Sequence, residues 1–207
     1  MKKLHALLIG NGEPVSPAFL RTLAQCADAV FAADGGAAQC ARAKLTPQAI
    51  IGDLDSVPPA LRKKWAAKLV AVSTQQNTDL EKALLYLIKA GFTSCTLAGF
   101  WGKRADFSVG NLLALVRFCK KINLCLKAPS FSIYPVVKTT RLPCVKGKRV
   151  SLIALKNCSG VGLKGLQYPL KNASVRLGST LTLSNTALAD TFEITLKSGA
   201  FLVYTEH

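Results

Sequence analysis

Short apolar runs alternate with amphipathic stretches through the first 120 residues. Leu4–Ile9 is apolar along most of its length, which predicts a buried strand. Ser16–Ala27 predicts a helix that opens at Ser16 with Pro17 at its first position. Ala29–Ala33 predicts a second strand ending in Asp34-Gly35-Gly36, with a helix following over about Ala37–Ala43. Gln48–Ile51 predicts a third strand, ending in Gly52-Asp53. A helix begins at Pro59–Lys64, a strand covers Lys68–Val72, and Thr78–Ala90 is a helix closed by Gly91. Cys95–Ala98 reads as a strand ending at Gly99, and Asn123–Lys127 as another. Between them Ser108–Lys121 reads as a helix with Lys120 and Lys121 at its negative end.

This alternation predicts an α/β domain with an open, largely parallel sheet. Such sheets bind ligands just beyond the carboxyl ends of their strands. Asp34, Asp53 and Gly99 all fall at such ends. After about residue 128 the helical period disappears, and β-type runs are separated by Gly, Asn and Pro. They are Phe131–Val137, Arg149–Leu155, Val161–Leu163, Ser179–Ser184, Phe192–Leu196 and Phe201–Thr205. An all-β, sandwich-like C-terminal domain is expected there. The expected division is 1–128 for the α/β domain and 136–207 for the β domain, with the join between Ala128 and Gly147.

Composition narrows the picture. Of 207 residues, 50% are hydrophobic and 18% charged, which suits a globular chain with a sizeable core. No apolar run approaches the roughly 18–20 residues of a membrane span. The start, Met1 to Ile9, faintly resembles a signal peptide, but the apolar run is short, holds His5 and lacks a cleavage site. A cytoplasmic protein is therefore expected. Seven cysteines form no CxxC pair, and the two histidines, His5 and His207, stand near the chain ends. That pattern argues against a zinc site and a histidine-based triad. The net charge of +16 is uneven: residues 120–207 carry 13 Lys/Arg against 3 Asp/Glu. A basic chain favours anionic partners, such as nucleic acid, phosphorylated small molecules or an anionic surface. Acids are scarce, 11 in all, yet Asp34, Asp53, Asp55, Asp79 and Asp106 sit in junctions marked by glycine or threonine.

In Gly52-Asp53-Leu54-Asp55-Ser56 an extended backbone would aim both carboxylates at one side, where a cation would hold them together. The same residues also suit an ordinary turn. Thr78-x-x-Glu81 is a capping box with Asp79 in the first turn, which leaves Lys82 as a cation near the positive end of a helix, a place better suited to a neighbouring anion. Gly99-Phe100-Trp101-Gly102-Lys103-Arg104-Ala105-Asp106 is a glycine-punctuated loop with two cations, and Arg104 offers a fork for phosphate oxygens. Neither a GxxxxGK[ST] loop nor a GxGxxG fingerprint is present. Together the five aspartates with Lys82, Lys103 and Arg104 point to a metal–polyphosphate site and phosphoryl-type transfer, which needs no histidine or thiol.

The ordered set resembles one family. Ala33-Asp34-Gly35-Gly36-Ala37, Gly52-Asp53-Leu54-Asp55-Ser56, Gln75 through Thr78-Asp79-Leu80-x-Lys82-Ala83-Leu84, and Gly99-x-x-Gly102-x-Arg104-x-Asp106 with Asn111 are similar to thiamine pyrophosphokinase. Gly178-Ser179 and Ser184-Asn185 resemble that family's thiamine-side motif. The resemblance implies transfer of the pyrophosphoryl group of ATP to thiamine, releasing AMP, with magnesium as cofactor. It implies magnesium-holding roles for Asp34, Asp53, Asp55 and Asp79, and phosphate contacts from Gln75, Thr78, Lys82 and Arg104. It places Asp106 at the reacting end, with Asp55 or Asp106 assisting removal of the hydroxyl proton, and Asp79 in the catalytic set. Ser184 and Asn185 would lie near thiamine. A homodimer is implied, with thiamine held where the subunits meet and no nucleic-acid or membrane partner.

Three positions depart from the family pattern: Phe107 where a histidine is usual, Lys103 for the second glycine of a Gly-Gly-Arg, and Thr186 for an acid. They fall on the loop and in the β domain, so the acceptor end is where this chain would differ. A related pyrophosphokinase acting on another acceptor, such as a hydroxymethylpterin, stays open. So does a basic nucleic-acid-binding relative without catalysis, although that reading leaves the five aspartates unexplained.

Overall fold

The computed structural model describes residues 3–207, so the first two residues of the expected α/β domain lie outside the described ones. Two compact units are present. The first takes the chain through Ala114 and again over Lys121–Ala128, and the second takes Leu115–Lys120 and Pro129–His207.

The first unit is built on six strands: β1 (His5–Ile9), β2 (Ala29–Ala33), β3 (Ala49–Gly52), β4 (Leu69–Ala71), β5 (Ser94–Ala98) and β6 (Asn123–Lys127). They pair in parallel in the order β6-β5-β1-β2-β3-β4. β1, β3 and β5 are buried along almost their whole length, as strands covered on both faces must be. Helices α1 (Pro17–Gln25), α2 (Gly36–Arg42), α3 (Pro59–Lys64), α4 (Asp79–Lys89) and α5 (Ala105–Phe118) lie between the strands, and a 3₁₀ turn (Ala66–Lys68) precedes β4. Local chemistry sets the helix starts. Ser16 caps α1 ahead of Pro17, accepting a bond from the Phe19 N–H. The Thr78/Glu81 capping box opens α4, with both reciprocal bonds in place at 3.0 and 3.3 Å. One core cluster of this unit gathers Leu7, Ile9, Leu20, Ala32, Ile50 and Trp65.

The strand order locates the cleft. The chain moves outward from β1 through β2, β3 and β4, then returns to lay β5 on the other side of β1. Open α/β sheets make their ligand crevice at the carboxyl ends of the strands beside such a reversal, here at β1 and β5.

In the second unit β7 (Phe131–Val136), β9 (Arg149–Ala154), β12 (Asn185–Thr186) and β14 (Phe201–Glu206) form an antiparallel set in the order β12-β9-β14-β7. A second antiparallel sheet takes β8 (Thr140–Pro143), β10 (Cys158–Lys164), β11 (Leu170–Val175) and β13 (Thr191–Thr195) in the order β11-β10-β13-β8. Residues from both sheets share one core, among them Val150, Leu152, Phe201, Val161, Leu163 and Phe192. This is sandwich packing.

Several elements differ from the sequence expectation. α5 starts at Ala105, three residues before Ser108, because Asp106 suits a first helical turn and Ser108 bonds back to the Arg104 carbonyl at 2.9 Å. Lys120 and Lys121 follow the helix in a turn instead of ending it. Ser179–Ser184 is turns, not a strand. Its Leu181 and Leu183 face outward, Thr182 is buried against the Leu152 carbonyl at 2.6 Å, and the Leu183 N–H closes on the Thr180 carbonyl. The alternation is present in the sequence, but only Thr182 is buried, and Thr180 and Ser184 are exposed with the leucines. β8 and β11 went unread because they are edge strands, one ending in Pro143 and the other dominated by Lys171 and Asn172.

Candidate active site

The carboxyl ends of β1 to β5 enclose an open cavity of about 250 Å³, whose wall includes Asn11, Asp34, Ser56, Thr78, Asp79 and Arg104. Asp34 leaves β2 in the left-handed region at φ 42, where few residues other than glycine, Asn and Asp settle. Its N–H donates to the Ile51 carbonyl at 2.9 Å, and the residue is only 4% exposed. The two glycines that follow allow this approach. A Cβ on Gly35 would strike the Asn11 amide, and one on Gly36 the Ile9 carbonyl.

Asp53 and Asp55 are brought together, but not by an extended backbone. Leu54 between them is left-handed at φ 69, and the Asp53 Oδ1 accepts the Asp55 N–H at 3.4 Å. The segment is therefore the turn that its residue types also allowed. Ser56 Oγ donates to Asp55 Oδ1 at 3.0 Å. Carboxylate oxygens of Asp34, Asp53 and Asp55 lie within 4.8 Å of one another. Gly52 lies beneath the acids: a Cβ there would stand 2.9 Å from the Asp34 Cβ and 3.1 Å from Asp79 Oδ1.

Lys82 supplies the counter-charge. Its side chain is 3% exposed, and Nζ donates to Asp79 Oδ1 at 3.1 Å and to Asp53 Oδ2 at 3.2 Å. Burial alone would lower the Lys82 pKa, but the bonds to Asp79 and Asp53 outweigh it and raise it. Asp53 moves the opposite way: burial pushes up, but the bonds from Lys82 and Asp55 together with the Lys82 charge outweigh it and bring the carboxyl below its usual value. Asp34 has no such cation. Burial raises its pKa, the Asp79 and Asp53 charges add to the rise, and hydrogen bonds from Ser56 and Gly35 oppose it. Its Oδ1 is buried with no hydrogen-bond partner. An orphaned carboxylate oxygen within a group of three acids has the donor chemistry a hard divalent cation takes.

Arg104 ends the opposite loop, and Asp106 and Phe107 stand on the first turn of α5. Arg104 and Asp106 pair through Nε–Oδ1 at 3.1 Å and Nη2–Oδ2 at 2.5 Å, both side chains being well exposed. The bond from Arg104 holds the Asp106 carboxyl below its usual value. The Arg104 guanidinium lies 4.3 Å from the centre of the Phe107 ring. Lys103, left-handed at φ 66, reaches the Asn11 carbonyl at 3.4 Å. Asn111 holds the loop from below, donating to the Phe100 carbonyl at 2.9 Å.

Asp34, Asp79, Thr78 and Arg104 thus face one cavity, with Asp53 and Asp55 grouped on Asp34. Lys82 faces the carboxylates and Gln75 is exposed, and neither forms part of the cavity wall. Ser184 and Asn185 belong to the second unit. Ser184 is left-handed at φ 55, with its N–H on Ser151 Oγ at 2.9 Å. The buried Asn185 amide brackets Tyr168, accepting its N–H at 3.0 Å and donating to its carbonyl at 2.8 Å, and also accepts the Thr186 N–H. Most of its hydrogen-bonding capacity therefore shapes the chain around it.

Sequence reasoning passed over Asn11, Gly12 and Gln39. Gly10, Gly12 and Glu13 bond the β5 loop at 2.8, 2.6 and 2.9 Å, and buried Gln39 ties the same segment down through the Gly10 carbonyl and the Val15 N–H. The available signal was Gly10-Asn11-Gly12 directly after the first buried strand.

A doubly wound α/β unit with clustered carboxylates, a buried lysine and an arginine at its switch point belongs to the class of phosphoryl-type transferases. Comparison with known proteins makes this particular. The family model "Thiamin pyrophosphokinase, catalytic domain" matches residues 20–126, and "Thiamin pyrophosphokinase, vitamin B1 binding domain" matches residues 136–201. Thiamine pyrophosphokinase of Bacillus subtilis (strain 168) is 28% identical over 160 residues, covering 73% of this chain and 75% of that protein. Thiamine pyrophosphokinase 1 of Arabidopsis thaliana is 27% identical over 232 residues, covering 97% and 85%. The structure of thiamin pyrophosphokinase from Geobacillus thermodenitrificans superposes with a TM-score of 0.86 at 22% identity, covering 99% of this chain and 98% of that one, and so shares the fold. The chain belongs to the thiamine pyrophosphokinase family and is an enzyme of that type.

Proposed function

We propose that this chain transfers the pyrophosphoryl group of ATP to the hydroxyl of thiamine, giving thiamine diphosphate and AMP. The observation that carries the reading is the partnerless Asp34 Oδ1 inside the Asp34–Asp53–Asp55 group, on the wall of a cavity that also holds Arg104. Asp34, Asp53 and Asp55 would hold magnesium, with Asp79 beside them on Lys82. A bound magnesium ion supplies charge neutralisation for phosphate oxygens. Lys82 fixes Asp53 and Asp79 and offsets their charge. Arg104 offers its planar fork to phosphate, with Thr78 and Gln75 on the same side of the reaction. Asp55 or Asp106 takes the hydroxyl proton as the oxygen attacks. Positioning and charge carry most of the catalysis.

Thiamine is assigned to the Ser184–Asn185 region, where Asn185 orients the Tyr168 backbone. A homodimer is part of the proposal. So is a cytoplasmic location without nucleic-acid or membrane partners; no helix among the described residues is long and apolar enough to cross a membrane.

The acceptor is tested by AMP release from ATP and magnesium with thiamine or with a hydroxymethylpterin. Thiamine-dependent release is expected. Release with the pterin alone would move the reaction to another acceptor. No release with either, together with salt-sensitive binding to RNA or DNA, would replace the enzyme reading.

A further inference from the structure

Arg104 is held from two directions. Its Nε and Nη2 edge lies along the Asp106 carboxylate, and its guanidinium carbon lies over the Phe107 ring, 4.3 Å from the ring centre. Among the described residues Nη1 makes no hydrogen bond, and the Arg104 side chain is 64% exposed. Phe107 itself is 46% exposed on α5, so its ring stays accessible to the guanidinium beside it. Asp106 alone leaves the guanidinium free to swing about the line of the pair. The ring removes that freedom and leaves Nη1 unpaired, and the cavity wall includes both residues.

We propose that Phe107 is a positioning residue: its ring face orients Arg104 so that the unpaired Nη1 end meets the phosphates of the nucleotide. This rests on the pyrophosphoryl-transfer reading above. Phe107 neither ionises nor donates a hydrogen bond, so its action runs through the cation. An aromatic ring at 107 is required, and any aliphatic side chain there loses the effect.

The test uses the full chain. Dissociation constants for magnesium-ATP come from calorimetry, and KM values for ATP and thiamine from AMP release, in the wild type, F107L, F107W, R104M and R104M/F107L. An exposed cation–ring contact predicts about a two- to fivefold weaker ATP affinity in F107L. The KM for thiamine should stay within experimental error, and F107W should restore ATP affinity. In the R104M background, F107L should add nothing, because the two side chains act as one unit. Three results would overturn the proposal: unchanged ATP affinity in F107L, F107W as weak as F107L, or the same F107L loss with and without Arg104. F107M serves the same comparison should F107L lose its cooperative melt. A wild type that releases no AMP with thiamine overturns the transfer reading itself. Intact release with a neutral F107L overturns only the role of Phe107.

Discussion

Exchanging Asp34 for asparagine separates what this residue does for folding from what it does for function. In the wild type Asp34 Oδ1 is buried without a partner, and burial, with the neighbouring Asp79 and Asp53 charges, disfavours the ionised form. Leaving a buried polar atom unsatisfied costs about 1–3 kcal/mol, more when the group is charged. Asparagine keeps the shape and removes the charge. It also tolerates φ 42, so no backbone strain obscures the comparison. The amide still leaves a buried polar atom at the Oδ1 position, so only the part of the cost that comes from the charge is relieved, and Asp34→Asn should gain about 0.5–1 kcal/mol. At about 2–4 °C per kcal/mol for a chain of this size, the melting temperature should rise by about 1–4 °C. The assay is a thermal melt in a chelator, repeated with increasing magnesium. A cation that binds only the folded wild type raises its melting temperature, whereas Asp34→Asn should respond weakly and release no AMP. A variant that melts below the wild type in chelator, or gains as much from magnesium, would refute the reasoning.

Lys82→Met should destabilise the chelated protein by about 1–3 kcal/mol, less than the 3–5 kcal/mol for a fully buried pair. The discount reflects Asp53 and Asp79 side chains that are 29% and 35% exposed. Urea unfolding measures the loss, and an unchanged midpoint would contradict the role given to Lys82. Asp53→Ala or Asp79→Ala should leave a folded protein without activity, judged by circular dichroism and AMP release; normal turnover in either would sink the acid-cluster account. His5 provides a pH signature away from the cavity. Its ring nitrogens meet Ser94 Oγ at 2.8 Å and Thr96 Oγ1 at 3.1 Å, and burial lowers its pKa below 6.5 despite the pull of Asp28. A histidine with a lowered folded pKa binds its proton more readily when unfolded. Stability should therefore fall as pH drops below about 6.5, level off below the folded pKa, and be unaffected by this group at higher pH. His5→Gln should flatten that part of the urea-midpoint profile, and an identical slope in both proteins would exclude His5 as its source.

The α/β half was legible because its signals are local. Buried strands such as Leu4–Ile9 are apolar along most of their length, and α4 announces itself through Thr78 and Glu81. The acids could be named from the junctions they occupy. Lys82 could be identified as a cation needing an anion, but its partners are the carboxylates of Asp53 and Asp79, and Asp53 is distant in sequence. The crevice itself depends on β5 returning beside β1, a pairing no local pattern reveals, and so Asn11 and Gln39 escaped notice. In the β half the clean alternation of Ser179–Ser184 misled. There the leucines face outward, and burial of Thr182 is stabilised by one bond to Leu152.

The most direct measurement of the central claim is the product ratio from ATP and thiamine, resolved by chromatography with and without magnesium. The account predicts AMP and thiamine diphosphate in equal amounts, with both lost when the cation is chelated. ADP with thiamine monophosphate, or turnover that ignores the cation, would contradict it.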